Sequence, residues 1–178
     1  MKRLNRAGFT LIELLAVITI MGILMMVAIP SVSRTIENSR RDTFADNALT
    51  YINTVRNAVL ADEVKCTVGG TDITASGTPN GIYYFVINTT EQQTKDIMEK
   101  VATSSWGGND LKGYVKWHKT ANASGRTTTT YYVRLADAQG HGMAETEEKS
   151  VSRTSIVTSG ATQATAPADT DKYICVLK

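Results

Sequence analysis

The sequence predicts an α+β fold: a long N-terminal α-helix, membrane-spanning in its first half, packed on a small, mostly antiparallel β-sheet. Three observations carry this. Apolar residues recur at helical spacing from about residue 9 to residue 62. After Cys66 the texture changes to Gly, Pro and Asn clusters that separate short β-branched and aromatic runs. The order, one long helix and then mostly strands, is the α+β pattern rather than the alternation that builds a parallel sheet.

The helix begins behind a basic head, Lys2, Arg3 and Arg6, and its apolar run is uncharged from Leu14 to Ile29. Phe9 to Ile29 makes about 31 Å of helix, enough to span a hydrocarbon core of about 30 Å. Glu13 lies inside the apolar block. An Asp at the centre of such a segment costs roughly 2.5–3.5 kcal/mol on insertion scales, so an acid at this depth marks a functional site whose partner has to be named. Thr10-x-x-Glu13 is also a capping box, which gives the carboxylate a local role at the helix start. Gly22 and Pro30 make the stretch between them the weak section. Glycine costs about 1 kcal/mol relative to Ala, and proline removes a donor and crowds the carbonyl of Met26.

Beyond Pro30 the stripe continues through Val32, Ile36, Phe44, Ala48, Ile52, Val55 and Val59, widened by Leu49 and Leu60. The opposite face carries Arg34, Glu37, Arg40, Arg41, Asp42, Asp46, Arg56 and Asp62, which reads as a solvated face or as a surface for subunit contacts. The helix is expected to end near residue 63, leaving 64–178 as one modest α+β head domain. There, residues 69–81 read as a loop and tight turn, Ile82–Ile87 as a buried strand, and Glu91–Thr103 as a short helix. Leu111–Lys119 and Thr127–Leu135 read as a hairpin about Asn122–Gly125, and Asp137–Gly142 as a turn. Val151–Val157 reads as a strand, Gly160–Asp171 as a loop, and Lys172–Leu177 as the last strand.

The chain holds 19 Lys+Arg and 17 Asp+Glu. Lys2, Arg3 and Arg6 all precede Gly8, so the remainder has 16 against 17, a net of −1. The basic excess therefore sits at the N-terminus, where it favours the cytoplasmic side, and the charge gives no case for nucleic-acid binding. No phosphate-binding G-x-x-x-x-G-K-S/T loop and no G-x-S-x-G elbow occurs, and His118 and His141 have no evident nucleophile partner. No catalytic residue, cofactor or metal ligand set is therefore assigned. Asp169-x-Asp171 offers fewer carboxylates than a calcium site gathers. Asn88-Thr89-Thr90 and Asn122-Ala123-Ser124 match a glycosylation pattern that is common by chance. Cys66 and Cys175 flank the head domain. In an exported domain such a pair is expected to be bridged, with two buried free thiols as the alternative.

At Gly8-Phe9-Thr10-Leu11-Ile12-Glu13-Leu14-Leu15, followed by Ala16-Val17, the chain resembles the type IV pilins and their pseudopilin relatives. The likeness covers about the first 35 residues. It implies that residues 1–8 are a leader cleaved between Gly8 and Phe9 by a prepilin peptidase, and that Phe9 is N-methylated. It further implies that residues 9–29 form a membrane anchor and then a filament core, and that Glu13 pairs with the Phe9 amine during assembly. The helix section between Gly22 and Pro30 would lose helicity when subunits pack. The implied protein is not an enzyme but a structural subunit, most simply the major pilin of a homo-oligomeric surface filament. It would be a single-pass protein of the inner membrane before assembly, extended by separate machinery. A minor pilin or a secretion or DNA-uptake pseudopilin shares the same motif and stays open. An ordinary signal peptide with a mature start near Arg34, behind Ser31-Val32-Ser33, is the rival outside the family.

Overall fold

The computed structural model of the chain describes residues 10–68, 70–88, 103–108, 110–164 and 172–178. One α-helix, α1 (Leu11–Leu60), is followed by seven strands: β1 (Val64–Val68), β2 (Thr71–Ile73), β3 (Gly81–Asn88), β4 (Lys112–Ala121), β5 (Thr127–Ala136), β6 (Gly142–Glu147) and β7 (Lys172–Leu177). The chain divides into two compact units, Met1–Ser39 and Arg40–Lys178, and α1 contributes turns to each. The fold is α+β, with a mostly antiparallel sheet.

In the second unit, α1 buries Phe44, Ala45, Ala48, Tyr51, Ile52, Val55 and Ala58. This three- and four-residue spacing places them on one face. Leu49 and Val59 pack partly against the same cluster, whereas Leu60 is exposed. The sheet supplies the other half of the core through Val64, Cys66, Tyr83, Phe85, Ile87, Val115, Trp117, Val133, Leu135 and Cys175. These alternate along their strands, as a sheet with one face on a helix requires. Tyr83 links Trp117 and Tyr173 in a run of tilted rings 4.7 and 5.1 Å apart, separations that favour aromatic pairs beyond their buried area.

The strand order is β2-β1-β7-β3-β4-β5-β6. Strand β7 lies between β1, to which it is antiparallel, and β3, to which it is parallel. Cys66 stands opposite Cys175 in the β1–β7 register, and the two are disulfide-bonded with Cα atoms 4.1 Å apart. Both are buried. The Lys178 N–H also donates to the Glu63 carbonyl at 2.9 Å. Two glycines set how closely β5 is flanked. A Cβ on Gly113 would lie 1.9 Å from the Arg134 carbonyl oxygen, and one on Gly142 2.3 Å from that of Leu135. Only glycine permits these approaches.

Several expectations need correction. Residues 69–81 are not simply a loop, because the β-branched residues before and after the Gly pair form the β1–β2 hairpin, with Cys66 opposite Ile73. Val151–Val157 is not a strand. The chain instead makes 3-10 turns at Glu148–Ser150 and Arg153–Ser155, and Val157 forms a single bridge with Gly142. The strand at that edge is β6, which the sequence pattern had marked only by its preceding turn. The predicted Glu91–Thr103 helix falls almost wholly outside the described residues. The face of α1 read as solvated is partly spent on the head. Asp42 accepts from Arg153 Nε at 2.7 Å, which holds its carboxyl below the usual range. Arg56 pairs with Glu148 and lies 5.0 Å over the Tyr131 ring. Asp62, at positive φ just past the helix, accepts from the Ser76 N–H at 2.7 Å.

Candidate functional site

Gly8 and Phe9 lie outside the described residues, so the site is built from Thr10 onward. Thr10 begins α1 with a complete capping box. Its N–H and its hydroxyl each donate to Glu13 Oε2 at 2.8 Å, and the Glu13 N–H donates back to Thr10 Oγ1 at 3.3 Å. The helix start thus satisfies otherwise orphaned donors from within. One carboxylate oxygen carries the cap; among the described residues the other, Oε1, has no hydrogen-bond partner.

Behind Glu13, none of the large apolar side chains of the first unit is buried. Leu11 is 85 % exposed, Met26 77 %, and every large hydrophobic residue from Leu11 to Ile36 remains open. The helix is long and apolar enough to cross a membrane. Thr19 and Thr35 return their hydroxyls to the carbonyls of Ala16 and Ser31, at 2.8 and 3.1 Å, so neither presents a free donor to an apolar surrounding. Pro30 sits inside the helix, and a Cβ at Gly22 would meet nothing within 4 Å. The helix runs on through both.

Among the described residues, the head holds a buried polar cluster around Asp137 that sequence reading missed. Asp137 is 1 % exposed. Its Oδ2 accepts from Ser104 Oγ at 2.7 Å and lies 2.8 Å from His141 Nδ1, while its Oδ1 accepts from the N–H groups of Gln139 and His141 at 3.0 and 2.8 Å. Trp106 stacks on the His141 ring at 4.5 Å. Serine, aspartate and histidine invite comparison with a catalytic triad, but the acid stands between the other two, and no Ser104–His141 bond occurs among the described residues. A nucleophile–base pair requires that bond. The cluster instead pins residues 103–108 to the β5–β6 turn. Burial pushes the Asp137 carboxyl up, but the hydrogen bonds from Ser104 and His141 outweigh it and hold the group below its ordinary value. A lowered folded-state pKa contributes stability above the unfolded carboxylate value, lost as pH falls below about 4. Asp137→Asn is therefore expected to cost roughly 3 kcal/mol at neutral pH, with a smaller difference from wild type at pH 3. Urea unfolding at both pH values checks this.

Among the described residues no group of three or more His, Cys, Asp or Glu is placed to hold a metal ion, and Asp169 and Asp171 lie outside them. Asn122 spends its side-chain oxygen on the N–H groups of Ser124 and Arg126, closing the β4–β5 turn.

A family model described as the prokaryotic N-terminal methylation motif matches residues 3–29. No curated protein and no solved structure matches the chain.

Proposed function

From the type IV prepilin signature that residues 3–29 carry, we propose that this chain is a structural subunit of a type IV pilus. The observation that carries the reading is the run of open apolar side chains from Leu11 to Ile36, most of which lies within that signature. Apolar side chains at this density are stable only in lipid or against other apolar helices. The subunit first rests in the membrane as a single-pass anchor, with the basic head on the cytoplasmic side. After a prepilin peptidase cuts between Gly8 and Phe9 and Phe9 is methylated, the same face packs against other copies. A helical filament then forms whose outside is made of α+β heads and which serves motility, adhesion or aggregation. The Gly22–Pro30 section is the part of α1 that yields as copies pack. Minor pilins and pseudopilins share the signature, and a major subunit is distinguished by dominating the sheared surface fraction.

N-terminal sequencing and intact mass of the exported protein test the reading. The expected mature chain starts at N-methylated Phe9, and a larger residue in place of Gly8 leaves unprocessed precursor in the membrane. A mature start at Ser33 or Arg34 would replace this assignment with an ordinary secreted domain.

A further inference from the structure

Strand β6 covers only part of β5. Its register runs from Ala136↔Gly142 to Tyr132↔Glu147, after which the chain leaves the sheet through the Glu148–Ser150 turn. Along Thr127–Tyr131, β5 is paired to β4 on one side, and among the described residues no strand pairs its other side. Where β6 would have continued there is a groove of about 430 Å³, lined by Leu49, Arg56, Thr129–Tyr131 and Glu147–Lys149. We propose that this open edge of β5 is a docking edge for the same edge of a second copy of the chain.

Folded proteins guard free strand edges with lysine, proline, bulges or inward charges. Thr127-Thr128-Thr129-Thr130-Tyr131-Tyr132-Val133 has no charge and no proline, and the irregularity in β5 comes later, between Val133 and Leu135. The segment is composed of residues that favour strands. A pairing of two identical edges is isologous: each copy gives and receives the same contacts about a two-fold axis. In the antiparallel arrangement with Thr129 opposite its own copy, Thr128 and Thr130 also meet across the axis, so threonine faces threonine at the centre, a favourable cross-strand pair. Backbone N–H and C=O groups supply the bonds, as in strand addition elsewhere.

The charge around the groove suits a copy of itself. Arg56 is paired with Glu148, and Lys149 with Glu147 at 3.0 Å. The patch holds equal numbers of each sign, so a second copy brings no excess of like charge. A strongly basic or acidic partner would find no net charge to answer it. The contact needs only two folded heads and stands apart from the packing of the apolar helix.

The test uses the full chain in detergent. A fluorescent synthetic peptide copying Arg126–Tyr132 is titrated in, beside the same peptide with alternate amides N-methylated. The expected result is saturable binding of the first, at least tenfold weaker binding of the second, and a similar loss in Thr129→Lys, whose thermal unfolding stays unchanged. Equal binding of both peptides, or none, overturns the proposal. In a second arm, oxidised Thr129→Cys is expected to cross-link into dimers because position 129 sits beside its copy across the axis, whereas Ser124→Cys at the turn does not. Equal cross-linking of both variants, or none in Thr129→Cys, overturns it as well.

Discussion

Glu13→Gln is expected to leave a stable, membrane-inserted subunit at wild-type level while reducing filament yield by tenfold or more. The argument starts from the two oxygens of one carboxylate. Oε2 is committed to Thr10, and among the described residues Oε1 has no partner. On the proposed processing, cleavage after Gly8 would free a cationic amine on Phe9, and a filament core built from apolar helices would exclude water from both charges. Burying either alone costs several kcal/mol, and pairing them between neighbours removes most of that cost. Each 1.4 kcal/mol is a factor of ten in an equilibrium constant, so an unpaired amine at every contact is enough for the predicted loss. Pairing also fixes axial register, because a slip along the apolar stripe leaves both charges alone while the hydrophobic contacts tolerate it. Glutamine keeps an acceptor for the cap but not the charge, and alanine removes both. Filament yield measured against membrane-bound subunit in the same cells separates the roles. Loss in both variants identifies the charge, and loss in Glu13→Ala alone reduces the residue to a helix cap worth about 1 kcal/mol.

The second large effect lies at the other end of the chain. Removing the bridge with Cys66→Ala and Cys175→Ala is expected to lower head stability by up to about 4.7 kcal/mol, the chain-entropy value for a loop of this size. The melting temperature should fall by about 10 °C or more. The bond spans a sequence separation of 109 and joins residues directly opposite in the β1–β7 register. Its sulfurs are buried, so the double variant also leaves a small void in the core. Unfolding monitored by circular dichroism gives the loss. Alkylation of freshly purified, unreduced protein gives the premise: no thiol should react until the head is denatured and reduced.

What could be read from the sequence divides by range. The first 29 residues were legible because their information is local: a basic head, an apolar run and one acid at fixed spacing. The helical stripe was legible through Phe44, Ala48, Ile52 and Val55 for the same reason. The β4–β5 hairpin was legible because Asn122-Ala123-Ser124-Gly125 sits between two alternating runs. The 3-10 turns at Glu148–Ser150 and Arg153–Ser155 were not, because Val151 and Val157 imitate a strand and only the packing of that edge denies them one. Apart from the expected Cys66–Cys175 bridge, pairings across the chain were also out of reach. Asp42 meets Arg153 from 111 residues away, and Ser104 meets Asp137 from 33. Each of these side chains alone looks like an ordinary solvated group. The Asp137 cluster had one local clue: Asp137 and His141 flank a turn at a spacing that lets the acid cap the backbone it precedes.

The position of β7 has a consequence for synthesis and export. Strands β3 to β6 form a meander in which each pairs with its predecessor, and it can assemble as the chain emerges. The β1–β2 hairpin can do the same. Among the described residues neither half shares a strand pairing with the other; β7 joins them. If the head is exported as proposed, the apolar helix enters the membrane before β7 arrives. Over that interval the β1–β2 hairpin and the β3–β6 meander share only their packing on α1, and each keeps an unpaired strand edge where β7 will lie. The interval ends in one step, when β7 inserts and brings Cys175 to Cys66. On the proposed route of export, the Cys66–Cys175 bond would tie that last strand to β1 and hold the completed sheet together.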